Sequence, residues 1–212
     1  MSGVVSDDGS PVEVYLRLPE TGEADLVASV VPPGSTVLEL GSGAGRVTNE
    51  LVERGFVVTA VDDSPQMLEH VRASETVCAK IESLDLERRF DCVLLGSHFV
   101  NDPGRAPLLA ACVRHVDESG VVLVEAYPPG LDWTAGRETR LGDVVVKLVE
   151  VKRTDDRVRA AVEYAVDGRT WRQHFEAELL DEEQLRTALS GAGLRFDRWL
   201  SAERGWFVAQ LP

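Results

Sequence analysis

Between residues 20 and 126 short apolar runs alternate with segments whose apolar residues recur at helical spacing. STVLEL (35–40), FVVTAVD (56–62), TVCAK (76–80), FDCVLLG (90–96) and GVVLVEAY (120–127) have the length and the β-branched content of buried strands. FDCVLLG is apolar almost throughout, as a strand covered on both faces should be. The intervening segments read as helices. ETGEADLVASVV (20–31) runs into Pro32-Pro33, and GRVTNELVERG (45–55) puts Val47, Leu51 and Val52 on one face before stopping at Gly55. Ser64-Pro65 opens a helix expected to reach about Arg72, with serine as N-cap and proline at the first position. Pro107 to Val116 reads as another. Strand, helix, strand at this spacing predicts right-handed crossovers and an α/β, doubly wound, mainly parallel sheet.

Beyond Pro128-Pro129-Gly130 the period shortens to two. DVVVKLVEVKR (143–153), RVRAAVEYAVDG (157–168) and RTWRQHFEAELL (169–180) alternate apolar and polar residues, with turns at Asp155-Asp156 and Asp167-Gly168. An antiparallel β meander is therefore expected, inserted after the fifth strand. DEEQLRTALSGAG (181–193) then reads as a helix with acids in its first turn and glycine at its end. FDRWL (196–200) and GWFVAQL (205–211) make a closing hairpin that completes a seven-stranded Rossmann-like sheet. The expected organisation is a core over 1–130 with an amino-terminal cap segment, the insertion over 131–180, and the last helix and hairpin over 181–212.

Composition narrows the partners. A chain of 212 residues, 44% hydrophobic and 27% charged, suits one domain with a modest insertion. The 22 Lys and Arg against 36 Asp and Glu give a formal charge of -14, with no basic run longer than Arg88-Arg89. Such a surface repels phosphate backbones and anionic lipid, so neither nucleic acid nor membrane is expected as a partner. No apolar run approaches the roughly 18 residues a bilayer demands. MSGVVSDDGSP, at the amino end, has neither a basic start nor an apolar core, so no signal peptide is expected there. Cys78, Cys92 and Cys112 lack metal-ligand spacing and suit a reducing cytoplasm, so no metal is expected.

The stretch most informative about chemistry is VLELGSGAGRV (37–47), with three glycines in five positions behind a strand. Glycines at such a turn let backbone approach a ligand closely. The dinucleotide fingerprint G-x-G-x-x-G fits Gly41 and Gly43 but meets Arg46 at its third glycine, and Gly45 comes one residue early. That misfit argues against a pyrophosphate ligand.

E-L-G-S-G-A-G after Val37-Leu38 resembles the first motif of the class I S-adenosylmethionine-dependent methyltransferases. VVTAVDDSPQML (57–68), FDCVLLGSHFV (90–100) and ESGVVLVEAY (118–127) resemble that family's later motifs in order and spacing. The likeness runs over about residues 34 to 127, more than half the chain. It implies S-adenosyl-L-methionine as cofactor, S-adenosyl-L-homocysteine as its product, and no metal. By the same likeness Asp62 would hold the ribose hydroxyls. A diol and a carboxylate are matched as donors and acceptor. Glu39, Gly41, Ser42, Gly43 and Gly45 would meet the amino-acid end and the sulfonium. Asp63, Met67, Gly96 and Ser97 complete the implied cofactor set. Where many relatives place an acid for the adenine amino group, this chain has Lys80. Either Glu82 or main chain around Ile81 would then read that edge, or the cofactor would bind weakly.

Methyl transfer from a sulfonium asks the protein mainly to align the reactants and exclude water, with a base only for a protonated acceptor. His98, just past the fourth strand beside Ser97, is the candidate catalytic base, with a structural role capping the strand end as the alternative. Asn101 and Asp102 are expected to cap the next helix. The segment 8–22, where Tyr15 and Arg17 are candidate substrate contacts, resembles no helical lid. Tyr127, Trp133, Arg137 and Glu138 lie on the loop after the fifth strand as further substrate candidates. Trp171, Arg172 and His174 belong to the meander, which in such enzymes forms a substrate cover or a dimer surface. A homodimer is one expectation. The fourth strand ends in Gly96-Ser97-His98-Phe99 rather than the Asn/Asp-Pro-Pro-aromatic motif of enzymes acting on DNA bases. The expected acceptor is therefore a small molecule methylated on an amine, a hydroxyl or a carboxylate. The alternatives are an NAD(P)-dependent Rossmann oxidoreductase and a non-catalytic cofactor-binding relative.

Overall fold

In the computed structural model, which describes Gly9 and residues 11–212, the alternating segments become a seven-stranded sheet of order β10-β11-β5-β4-β1-β2-β3. Its strands are β1 (Thr36–Leu40), β2 (Val57–Asp62), β3 (Glu75–Cys78), β4 (Phe90–Leu95), β5 (Val116–Glu125), β10 (Arg195–Trp199) and β11 (Trp206–Gln210). All neighbours pair in parallel except β11, which runs antiparallel to both β5 and β10. The strand order reverses between β1 and β4, the place where open α/β sheets leave a crevice for ligands.

Both faces of this sheet are covered, as the continuous apolar runs require. Along β1, Leu38 and Leu40 pack with Leu109, Leu185 and Leu189 from α5 (Arg105–His115) and α6 (Glu182–Ala192). Val37 faces the other way, against Val27 of α2 (Glu23–Val30) and Leu51 of α3 (Arg46–Glu53). The α6 start is a full capping box. The Gln184 amide N–H donates to Asp181 Oδ1 at 2.8 Å, and the Asp181 N–H donates to Gln184 Oε1 at 2.8 Å. Asp181→Ala should lower unfolding stability by about 1 kcal/mol. An unchanged urea midpoint would show that α6 is held by packing alone.

The second sheet, order β6-β7-β8-β9, is antiparallel: β6 (Glu138–Leu141), β7 (Val144–Arg153), β8 (Arg157–Val166) and β9 (Arg169–Glu178). Asp167 and Gly168 both take positive φ (50° and 72°), which makes the two-residue turn matching the strand twist. One face of this sheet is apolar. Val158, Ala160 and Ala177 bury Trp133 together with Tyr127 and Phe175. Elsewhere the strands carry ion pairs, Arg159 with Glu176 at 2.8 Å and Arg172 with Glu150 at 2.6 Å.

Several boundaries differ from the sequence reading. The helix opened by Ser64-Pro65, α4, ends at Leu68 rather than Arg72. Met67 is its one buried residue, and Asn49 Oδ1 accepts the Arg72 N–H at 2.8 Å, which draws the chain off the helical path. β5 begins four residues early, at Val116, with an irregular register opposite Phe90 and Cys92. Segment 8–22, expected to hold no helical lid, contains the helical turn α1 (Val12–Tyr15), too short to leave a periodic signal. The amino-terminal stretch read for a leader falls, up to residue 8 and at residue 10, outside the described residues. No helix among the described residues is long and apolar enough to cross a membrane.

Candidate functional site

The β1–α3 turn lies at the switch point and is fastened to β2. The N–H groups of Gly41 and Ser42 donate to the Val61 carbonyl at 2.8 and 2.9 Å, and that of Gly43 donates to Asp62 Oδ2 at 2.8 Å. The other Asp62 oxygen accepts from the Ser64 N–H at 2.9 Å. Register makes this possible, since β1 and β2 pair Leu40 with Val61 and so bring the strand ends together.

The glycines have separate reasons. Gly41 has φ 76°, and a Cβ there would lie 2.5 Å from Cε2 of Phe99. Gly43 has φ 54°, with the Tyr15 ring 3.4 Å from where a Cβ would be. Gly45 opens α3, and its Cβ would press on Val71 at 3.1 Å, so it serves packing behind the loop. A narrow cleft crosses this turn. Glu39, Gly41, Ser42 and Gly43 line it, with the Glu23–Arg46 pair on one side and Gly96, Ser97 and Trp206 on another. Ser42 is buried, and its hydroxyl is the one buried side-chain polar atom without a partner among the described residues.

Beneath the cleft, Glu39 is buried and its carboxylate accepts from the Thr48 hydroxyl. Burial pushes its pKa up to about 7, Glu23 and Asp62 add to the rise, and the Thr48 bond and Arg46 oppose it. Glu23, also buried, pairs with Arg46 at 2.5 Å and accepts the Thr21 N–H at 2.7 Å. Burial opposes its ionisation, but Arg46 and the backbone bonds outweigh it and hold its carboxyl below the ordinary value.

Past β4 the chain makes two consecutive left-handed residues, Ser97 (φ 53°) and His98 (φ 56°). Such conformations cost on the order of 1–3 kcal/mol each for residues other than glycine. They are held by the Phe99 N–H on the Gly96 carbonyl (3.2 Å) and the Asn101 N–H on the His98 carbonyl (2.8 Å). The turn stacks the His98 ring on Tyr127, with centroids 4.0 Å apart and planes at 14°, and sets Nε2 3.6 Å from Glu125 Oε1. The ring is about a third exposed. Burial is nevertheless the strongest influence on its basicity; with help from Arg46 it outweighs the pull of Glu125 and lowers the pKa below the usual imidazole value. Tyr127 in turn meets Trp133 edge-on at 4.9 Å, and burial raises its phenol pKa.

Asn101 is not a helix cap. It is buried, its side-chain N–H donates to the Glu178 carbonyl at 2.7 Å, and its Oδ1 accepts the Tyr127 N–H at 2.9 Å. It thereby ties the β4 turn, the β5 exit and β9 together. Nor is Asp102 the cap of α5: Gly104 holds that place without a side-chain cap bond, and Asp102 accepts the Gly104 N–H at 2.5 Å. α1 makes a second tie. Tyr15 covers Gly43 and lies 6.4 Å from the Tyr164 ring, Glu13 pairs with Arg169, and Arg17 reaches Asp143 (2.9 Å) and Asp167 (2.7 Å).

The structure thus gathers Glu39, Gly41, Ser42, Gly43, Gly96, Ser97 and Tyr15 on one cleft, with Asp62 bonded to its loop and His98 and Tyr127 beyond Ser97. Others stand apart. Met67 is buried under the loop with Ala44 and Val12, and Asp63 is exposed. Ile81 is buried with Cδ1 3.7 Å from the position a Gly41 Cβ would take, while its neighbours Lys80 and Glu82 are exposed and line no part of the cleft. Trp133 is core to the second sheet; Arg137 and Glu138 are exposed, Glu138 pairing with Lys147 at 3.1 Å. Arg172 and His174 pair with Glu150, and Trp171 lies under Arg169. Sequence reasoning missed Glu23, Thr48, Phe99, Glu125 and Trp206. Only Glu125 left a signal, an acid ending an apolar strand just as Asp62 does.

A family profile described as a methyltransferase domain matches residues 37–120, the span from β1 into β5. An uncharacterised methyltransferase of Mycobacterium tuberculosis is 35% identical over 162 residues, 73% of this chain and 62% of that protein. The chain therefore spans somewhat under two thirds of the length of that relative. Among solved structures, the CcbJ methyltransferase of Streptomyces caelestis superposes with a TM-score of 0.74 at 20% identity, covering 94% of this chain and 95% of that one. A sugar N-methyltransferase from Streptoalloteichus gives 0.68 at 23% identity over 97% and 88%. An S-adenosylmethionine-dependent methyltransferase from Clostridium acetobutylicum gives 0.68 at 18% over 89% and 88%.

Proposed function

Because this chain belongs to the class I S-adenosylmethionine-dependent methyltransferases, we propose that it transfers a methyl group from S-adenosylmethionine to a small-molecule acceptor. One observation carries the reading. A single cleft runs from the glycine turn, with an unpartnered Ser42 hydroxyl buried in it, to the ends of β4 and β11 beside His98.

The residues suit that cofactor. Asp62 accepts from the ribose diol, the glycine turn carries no side chain into the cleft at Gly41 and Gly43, and the Ser42 hydroxyl gains the partner it lacks. Ile81 packs on the adenine side, in place of the acid missing at Lys80. When bound, S-adenosylmethionine supplies a methyl group on a positively charged sulfur, already a good leaving group. The chain then has to orient the acceptor and keep water out. His98 removes a proton where the acceptor carries one; its lowered pKa keeps the ring neutral and able to do so at neutral pH. The second sheet, whose apolar face holds Trp133 and Tyr127, covers the acceptor. That sugar and glycopeptide N-methyltransferases share the fold supports a small acceptor. Three unpaired cysteines, two of them buried, suit a reducing compartment such as the cytoplasm.

Calorimetric titration of the wild type with S-adenosylmethionine, S-adenosylhomocysteine and NAD tests the reading. The first two are expected to bind and NAD to give no heat of binding. NAD binding with neither of the other two would replace it with the oxidoreductase alternative.

A further inference from the structure

Next to Gly96 and Trp206 of the cleft stands a carboxylate with no cation to match it. Glu125 ends β5 with its side chain 17% exposed. A Cβ on Gly96 would lie 3.8 Å from its Oε2 and 3.7 Å from the Trp206 ring, so the absent side chain leaves space between the acid and the cleft. Glu23 and Glu178, also shielded, are answered by cations, Glu23 by Arg46 and Glu178 by Arg105 and Arg157. Among the described residues Glu125 has only His98, at 3.6 Å, beyond direct hydrogen-bond length. That imidazole is neutral at neutral pH. Shielding a carboxylate from water without an opposing charge is costly, and its neighbours in the site are the His98 ring and Trp206, which pairs across from Glu125 on β11. An acid beside an aromatic ring is a setting that suits an organic cation.

Resting on the methyltransferase reading, we propose that Glu125 selects the acceptor, holding a protonated amine by charge-assisted hydrogen bonds so that the methyl group goes to nitrogen. The ammonium sits between Glu125 and His98. His98 takes one proton from it, which frees the nitrogen lone pair. The N–C bond forms as the methyl–sulfur bond breaks, with that electron pair passing to sulfur. The imidazolium, stabilised by Glu125, returns its proton to solvent. A carboxylate acceptor would set two anions against each other, and a hydroxyl would leave Glu125 as uncompensated as before. Of the three acceptor chemistries open at the outset, the site favours the amine.

The test measures binding of cyclohexylamine, cyclohexanol and cyclohexanecarboxylate, probes of one size and three charges, to the full chain saturated with S-adenosylhomocysteine. Tryptophan fluorescence reports, since Trp206 lines the cleft. The amine should bind the wild type at least about tenfold more tightly than the alcohol, the scale of one charged pair in a shielded site. Glu125→Gln should reduce that ratio to about one with S-adenosylhomocysteine affinity unchanged, and Glu125→Asp should restore part of it. An amine preference that survives Glu125→Gln, or a wild type without one, overturns the assignment. Should the glutamine variant not fold, a ratio in Glu125→Asp equal to that of the wild type overturns it equally. Loss of S-adenosylhomocysteine binding by the wild type would instead be a failure of the methyltransferase reading.

Discussion

Replacing Asp62 with alanine is expected to weaken S-adenosylhomocysteine binding about 100-fold while leaving the chain folded. Two contributions combine. The ribose diol loses a carboxylate acceptor, and hydrogen bonds to charged groups contribute about 1.5–3 kcal/mol. The Gly43 and Ser64 N–H groups lose the oxygens that fix the glycine turn. Asp62 is only partly buried at the sheet edge of the turn, so water can replace it on those amides and the fold should survive. Asparagine should be nearly as harmful as alanine. Both oxygens accept from main-chain N–H groups, so an amide NH2 in either place would set donor against donor. Calorimetry against S-adenosylhomocysteine, with melting temperature as the control for folding, reads the effect. An Asp62→Ala protein that binds within threefold of wild type would remove the ribose from this carboxylate.

Glu39→Gln should make the protein more stable in alkali than the wild type is, by up to roughly 3 kcal/mol above pH 7. The unfolded chain releases the Glu39 proton near pH 4.5, its ordinary value, whereas the folded chain holds it to about 7. Between those values the folded state binds the extra proton. The stability this residue confers is complete below 4.5 and is lost as pH climbs through 7. Burial is the main cause, and the neighbouring Glu23 and Asp62 carboxylates reinforce it. Glutamine keeps an oxygen to accept from the Thr48 hydroxyl and never ionises, so the variant escapes the loss. Urea unfolding of both proteins at pH 5 and pH 8 measures it. A stability difference that is the same at the two pH values would mean that Glu39 titrates normally in the fold.

The frame of the protein was legible because its signals are local and repeated. Apolar runs gave the strands, the Gly41–Gly45 turn gave the strand–loop–helix unit, and Asp181 with Gln184 gave the last helix its start. The place of Asp62 could be read for the same reason, since it ends an apolar strand, and there it accepts the Gly43 N–H of the turn. What escaped depends on contacts between distant segments. Glu125 becomes significant only when β4 and β5 lie side by side, pairing Leu95 with Val124, and the turn at Ser97-His98 brings the imidazole back over it. Glu23 looks like any acid in a helix's first turn until Arg46 meets it from α3. Asn101 was read as a cap because that is what asparagine before a helix most often is, while its two bonds reach 26 and 77 residues away.

The ties of α1 have an evolutionary corollary. The second sheet belongs to residues 131–180, a block that enters and leaves the core between β5 and α6 and so has the outline of a cassette. Yet Glu13, Tyr15 and Arg17, more than a hundred positions upstream, clasp Arg169, Tyr164, Asp143 and Asp167 within it. A transplant of the block alone would arrive without its hinge pin. The seating of the second sheet on α1 depends on two separated segments that must be inherited, or engineered, together.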